Sequence, residues 1–164
     1  MSTTLLVVII FAMVISPIFW LMPSRRQRYQ MHLRKIALHA GIKVRLEKFE
    51  LNGEKLPATA YRWMRDADEK KTAHRFRLAH VPRMEKERLE PRGDEFIPGW
   101  LWLESPVPAV SDDQLEALKN VLEQLPEDSL IFEAGTATVT LWWRENGTPE
   151  QVESLPELMS GLPM

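Results

Sequence analysis

Residues 111–159 read SDDQLEALKNVLEQLPEDSLIFEAGTATVTLWWRENGTPEQVESLPELM, a run that predicts helix, strand, strand and helix in succession. Ser111 is a favourable N-cap, and Gln114 three residues on completes a capping box. Asp112 and Asp113 suit the positive end of the helix that follows, so helix-dipole chemistry accounts for this acidic pair. Leu115, Leu118, Val121, Leu122 and Leu125 recur at helical spacing and form its apolar face. Residues 130–132 and 136–144 then predict two strands, joined around Ala134-Gly135 as a hairpin. Asn146-Gly147 ends the second strand. Thr148-Pro149 opens a closing helix toward Met159, with proline at the first helical position, where it is favoured.

Upstream, residues 42–51 alternate Val44 and Leu46 with charged neighbours and predict a strand that stops at the Asn52-Gly53 turn. Residues 58–65 predict a second strand with Tyr61 and Trp63 on one face. A third covers residues 72–81, where Phe76 and Leu78 alternate with Arg75 and Arg77. Residues 84–98, charged and proline-bearing, read as a loop, and residues 99–105 as a short apolar strand containing Trp100 and Trp102. Strands first, then helix, strands and helix, predict an α+β domain over residues 42–159 with a mostly antiparallel sheet and two helices, followed by a tail at 160–164.

The amino-terminal end reads differently. Residues 1–24 contain no charged side chain, and LLVVIIFAMVISPIFWLM (residues 5–22) is close to the roughly 20 apolar residues that span a bilayer. The expectation is an uncleaved transmembrane anchor over residues 1–23, since a signal peptide would want a basic start and small residues at its end. Residues 24–41 predict a basic amphipathic helix beside the membrane. Ser24 and Gln27 form a capping-box pair, and Tyr29, Leu33, Ile36, Ala37 and Ala40 make an apolar stripe. Gly41 sits where a C-terminal cap belongs. Arg25, Arg26, Arg28, Arg34 and Lys35 are read as topology determinants or lipid-headgroup ligands. By the positive-inside rule they predict a single-pass protein of a bacterial inner membrane, with a periplasmic N-terminus and a cytoplasmic domain.

Charge is strongly polarised along the 164 residues. Residues 24–48 carry about +7, residues 49–108 balance, and residues 109–164 carry about −9, giving the net −2. The stretch FWLMPSRRQRYQMHLRKIALHAGIKV (residues 19–44) resembles the opening of the YajC-type accessory subunits of bacterial protein export, a likeness that covers residues 10–44. The resemblance implies one span, a basic helix directly after it, a small β-rich cytosolic domain and an accessory role. The whole chain is also similar to single-span membrane proteins of gammaproteobacteria, which implies topology and no activity.

Little in the residues points to catalysis. The chain has no cysteine, which excludes disulfides, thiolate chemistry and cysteine-built metal sites. His32, His39, His74 and His80 lie at spacings that match no short metal motif, and Asp66-Ala67-Asp68-Glu69 lacks the glycine of a calcium loop. The dispersed glycines build neither a phosphate cradle nor a nucleophile elbow. No metal, cofactor or nucleic acid is expected. Among the six tryptophans, Trp100 and Trp102 share one strand face, while Trp142 and Trp143 point to opposite faces. These four are either core or a candidate surface for a membrane or cytosolic protein partner. The function expected is a non-enzymatic, membrane-anchored accessory or scaffold protein. The alternative is a membrane-surface sensor or regulator that binds the anionic lipid bilayer through its basic helix.

Overall fold

The computed structural model describes residues 22–66, 74–104 and 109–162, and within the first 21 only residues 3–5, 7, 10–13 and 15, which are helical. The described residues divide into two compact units, Met1–His32 and Leu33–Met164. In chain order the elements are α1 (Arg25–His39), β1 (Lys43–Leu51), β2 (Glu54–Met64), β3 (Phe76–His80), α2 (Val81–Lys86), β4 (Asp94–Ile97), β5 (Trp100–Trp102), α3 (Asp112–Gln124), β6 (Ser129–Ala134), β7 (Thr138–Trp143) and α4 (Pro149–Ser160).

The first unit overturns the expected anchor. Among the described residues no helix is long and apolar enough to cross a membrane. A span needs about 20 apolar residues in one helix, whereas α1, the longest described, has 15 residues and carries five arginines and lysines. Part of the apolar stretch, including Pro17, Phe19 and Trp20, lies outside the described residues. The transmembrane anchor over residues 1–23 and the single-pass inner-membrane placement are therefore withdrawn, and with them the juxtamembrane setting of the basic helix. That helix itself is real. Gln27 donates its backbone N–H to Ser24 Oγ at 3.2 Å, and Ser24 N–H donates to Gln27 Oε1 at 2.8 Å, closing the capping box.

In the second unit the seven strands form one sheet in the order β1-β2-β7-β6-β3-β5-β4, with every neighbouring pair antiparallel. One face carries Tyr61, Phe76, Leu78, Phe132, Leu141, Trp143 and both Trp100 and Trp102. It packs with Leu33 and Ala37 of α1, Leu118, Val121 and Leu122 of α3, and Val152, Leu155 and Met159 of α4. The other face, Phe49, Leu51, Ala58, Ala60, Ala79, Leu130, Ile131 and Trp142, is covered by Met84 of α2 and Leu89. A bulge between Ser129 and Ile131 puts Leu130 and Ile131 together on this second face.

Local signals explain most boundaries. Both expected helices of the carboxy-terminal run begin with full capping boxes, at Ser111 with Gln114 and at Thr148 with Gln151. Gly41 takes φ +80°, and Ile42 N–H reaches back to Ala37 C=O at 2.9 Å, the longer bond of a Schellman cap. Asn52 and Gly53 at φ +52° and +83° make a type I′ hairpin turn.

Three stretches of the chain depart from the sequence reading. β2 starts at Glu54 and runs through Pro57, which is opposite Lys48. The turn makes Leu51 and Glu54 a hydrogen-bonded pair, so by alternation Lys48 and Pro57 are a non-bonded one. The β2–β7 pairing begins only at Thr59, so the missing N–H of Pro57 breaks no ladder bond. The stretch read as a loop holds α2 and β4, the second a short acidic edge strand. The third strand is confined to Phe76–His80: His74 and Arg75 are outside any strand, and residues 72 and 73 lie outside the described residues, as do Asp68 and Glu69.

A cleft beside a buried carboxylate network

Glu145 is the most deeply buried of the charged residues described in the second unit. It lies just after β7, is 2% exposed, and takes φ +56°, a left-handed conformation unusual for a residue with a Cβ. Arg34 Nε donates to both carboxylate oxygens, at 2.8 and 3.0 Å, and Arg34 Nη2 adds a further close contact to Oε2. Thr59 Oγ1 donates to Oε2 at 2.8 Å and the Tyr61 hydroxyl to Oε1 at 3.1 Å. Burial, with Glu145 beside it, pushes the Tyr61 phenol far above its ordinary range, so it stays protonated and donates. One end of α1 is thereby tied to β2 and to the turn after β7. With both oxygens taking protein donors, the geometry is that of an internal tie.

A second cluster joins α2 to β7. Glu87 accepts from Arg144 Nε at 2.9 Å and Nη2 at 2.6 Å, and from Arg83 Nη2 at 2.7 Å. The hydrogen bonds from Arg144 hold the Glu87 carboxyl below its usual range. A carboxylate lowered in this way stabilises the fold above its unfolded pKa, and that contribution is lost as pH falls through the folded value. Glu87→Gln is accordingly expected to flatten the fall of thermal stability with acid below about pH 4.5. Melting curves from pH 6 to 3 check this. An unchanged slope would show that the pair makes no net contribution.

An open cleft of about 300 Å³ lies where β3 and β5 meet the end of α3, lined by His80, Trp100, Leu122, Leu125 and Pro126 with Glu123 and Glu127. The His80 ring stacks on Trp100 with centroids 4.8 Å apart and planes 21° from parallel. His80 Nδ1 is 3.1 Å from the Ser129 carbonyl. A carbonyl only accepts, so Nδ1 carries the hydrogen and Nε2 is left as an acceptor. Burial lowers the His80 pKa below its ordinary value, Lys86 and Arg83 acting in the same direction while the Ser129 bond and Glu127 oppose. The imidazole is thus held neutral near pH 7. The cleft combines an aromatic floor, an aliphatic wall, an imidazole acceptor and two exposed glutamates on its rim.

The residues singled out from sequence are distributed among different roles. Arg25, Arg26, Arg28 and Lys35 are exposed on α1, whereas Arg34 is turned to Glu145. Trp102, Trp142 and Trp143 are at most 5% exposed. Trp102 packs between Phe76 and Phe96 at 5.2 and 4.9 Å. Trp142 meets Phe49 at 5.8 Å and donates its Nε1 to Glu133 at 3.2 Å. Trp143 meets Tyr61 edge-on at 5.2 Å. These three rings are core, and Trp100, itself 4% exposed, edges a cleft. His32 and His39 are exposed on α1. Among the described residues no group of three or more His, Cys, Asp or Glu is placed to hold a metal ion. The sequence reading passed over Glu145, Glu87 and the role of His80. Only the arginines and the aromatic content hinted at them, because each partner set is assembled from distant strands. Comparison of the chain with protein-family models, with curated proteins and with solved structures finds no match.

Proposed function

We propose that the second unit is a protein-binding module that acts as an accessory or scaffold, without turnover. It takes a basic residue and a neighbouring apolar residue of a partner segment in the His80–Trp100 cleft. The observation that carries this reading is the cleft's chemistry. An apolar floor beside an acceptor nitrogen and two rim carboxylates suits a cationic, partly apolar peptide. The excess of negative charge over residues 109–164 favours encounter with a basic partner.

The probe is a synthetic peptide in which leucine is flanked by arginines, set against its glutamate-flanked counterpart and titrated calorimetrically into the full chain. The arginine peptide is expected to bind and the glutamate peptide not. Glu123→Lys combined with Glu127→Lys should weaken the arginine peptide about tenfold, from two rim charges reversed at up to about 1 kcal/mol each. Binding should also fall as pH drops below the ordinary histidine range, because a protonated His80 presents a donor where the peptide brings one. Equal binding of both peptides, or no effect of the two lysines, would remove the cleft from the function.

A further inference from the structure

β1 is an edge strand of nine residues whose outer side faces no other described strand. Long, unpaired edges are normally blunted by bulges, prolines or charged side chains, since their free N–H and C=O groups template pairing with another chain; β1 has neither bulge nor proline, and its charges are of both signs, so they can pair across a two-fold as well as repel. This one runs KVRLEKFEL, regularly paired with β2 over all nine residues, and places Leu46 at 67% exposure in its middle. We propose that β1 is a homodimer interface, in which two copies pair antiparallel about a two-fold axis through Leu46 and join their sheets into one.

The backbone decides which residues can form such a ladder. The type I′ turn at Asn52-Gly53 makes Leu51 and Glu54 a hydrogen-bonded pair. Alternation then turns the N–H and C=O of Lys43, Arg45, Glu47 and Phe49 toward β2, and those of Val44, Leu46, Lys48 and Glu50 toward the open edge. A two-fold at Leu46 sets Leu46 against its own copy and Val44 against Lys48 of the second copy. All of these are residues with outward-facing groups.

Side-chain charge then selects among registers. With the axis at Leu46, Arg45 faces Glu47 of the second copy, and Glu47 faces Arg45, as isologous contact requires. These are the closely spaced, non-bonded positions, where opposite charges count most. Glu47 already receives Arg62 at 3.1 and 2.5 Å, with Arg45 3.8 Å away. It is therefore fixed as an acceptor on that side of the sheet. An axis at Arg45, Glu47 or Lys48 sets that residue against its own like charge, and one at Val44 sets Lys43 against Arg45. An axis at Phe49 sets Lys48 against Glu50 but overlaps the strands less and leaves Leu46 in water. The Leu46 register alone combines overlap of residues 43–49, unlike charges and burial of the exposed leucine.

The chain contains no cysteine, so single thiols report the register directly. In the proposed dimer the two Leu46 Cα atoms are about 5.5 Å apart, within disulfide range, while the two Glu50 positions are about 27 Å apart. Under mild oxidation of the full chain, Leu46→Cys is expected to crosslink in nearly all molecules and Glu50→Cys only at background. Arg45→Glu alone and Glu47→Arg alone should each return the chain to monomer by sedimentation, and the two together should restore the dimer. Equal crosslinking at positions 46 and 50, or a double variant as monomeric as each single one, overturns the proposal. The double variant guards against misreading loss of the Glu47–Arg62 pair as loss of the interface.

Discussion

Glu145→Ala is expected to lower the unfolding free energy by about 3–5 kcal/mol, the range seen when one partner of a buried ion pair is removed. The carboxylate is 2% exposed and takes hydrogen bonds from Arg34, Thr59 and Tyr61. Removing it leaves the Thr59 and Tyr61 hydroxyls without their acceptor in the interior, at about 1–3 kcal/mol for each group that finds no replacement. Arg34 is less severely stranded, because its side chain is 23% exposed and water can take over part of the guanidinium. That exposure places the total toward the lower half of the range. Alanine also keeps the unfavourable φ of +56° at this position, so the substitution relieves no backbone strain to offset the loss. Glu145→Gln, which retains an acceptor oxygen but no charge, should cost roughly half as much, and Tyr61→Phe about 1 kcal/mol. Chemical denaturation of the three variants checks the order. If Glu145→Ala unfolds within 1 kcal/mol of the parent, the network is ornamental and the tie between α1 and the sheet must rest on the apolar packing of Leu33, Ile36 and Ala37.

The same network shows where a single sequence stops being legible. Three capping boxes, the Gly41 cap and the Asn52-Gly53 turn are specified by residues at most five apart, and each forms as its local chemistry predicts. Alternation also separated Trp142 from Trp143 correctly, onto the second and first faces of the sheet. By contrast, Arg34 meets its carboxylate 111 residues away, and Thr59 does so across 86. No periodicity carries that information. A run of arginines looks the same whether its members face water or a buried glutamate. Composition misled in two further places. Pro57 hid the first turn of β2, although its nitrogen faces no partner strand, and charge hid β4, which as an edge strand has little apolar surface to bury. Hydropathy over residues 5–22 predicted a span from length and apolar composition together, and no described helix is long and apolar enough to be one.

Trp143→Ala carries the other large effect, about 3–5 kcal/mol, as for other large aromatic truncations in a core. Its ring is fully buried on the helix-covered face, edge-on to Tyr61 at 5.2 Å, on a strand held on both sides by β2 and β6. The chain turn beside it has little room to close over the gap. A Cβ added at Gly147 would come within 2.9 Å of the ring, which shows how closely backbone and indole already fit. The cavity should therefore stay largely open, which puts the cost in the upper part of the range. Trp143→Phe keeps part of the edge-on contact and should lose about half as much. Trp142→Ala is the informative comparison, because its ring lies on the opposite face against Phe49 and its Nε1 is bonded to Glu133. Removing it also costs stability, but it leaves the first face intact. The two rings share no aromatic partner, so it is coupling through the β7 backbone that would make the two changes depart from additivity. A Trp143→Ala variant as stable as the parent would mean that this ring is not sealed in the core, and would return it to the candidate surface for a partner. A strongly non-additive pair would instead mean that the two faces of the sheet relax together, so that β7 transmits packing changes from one core to the other.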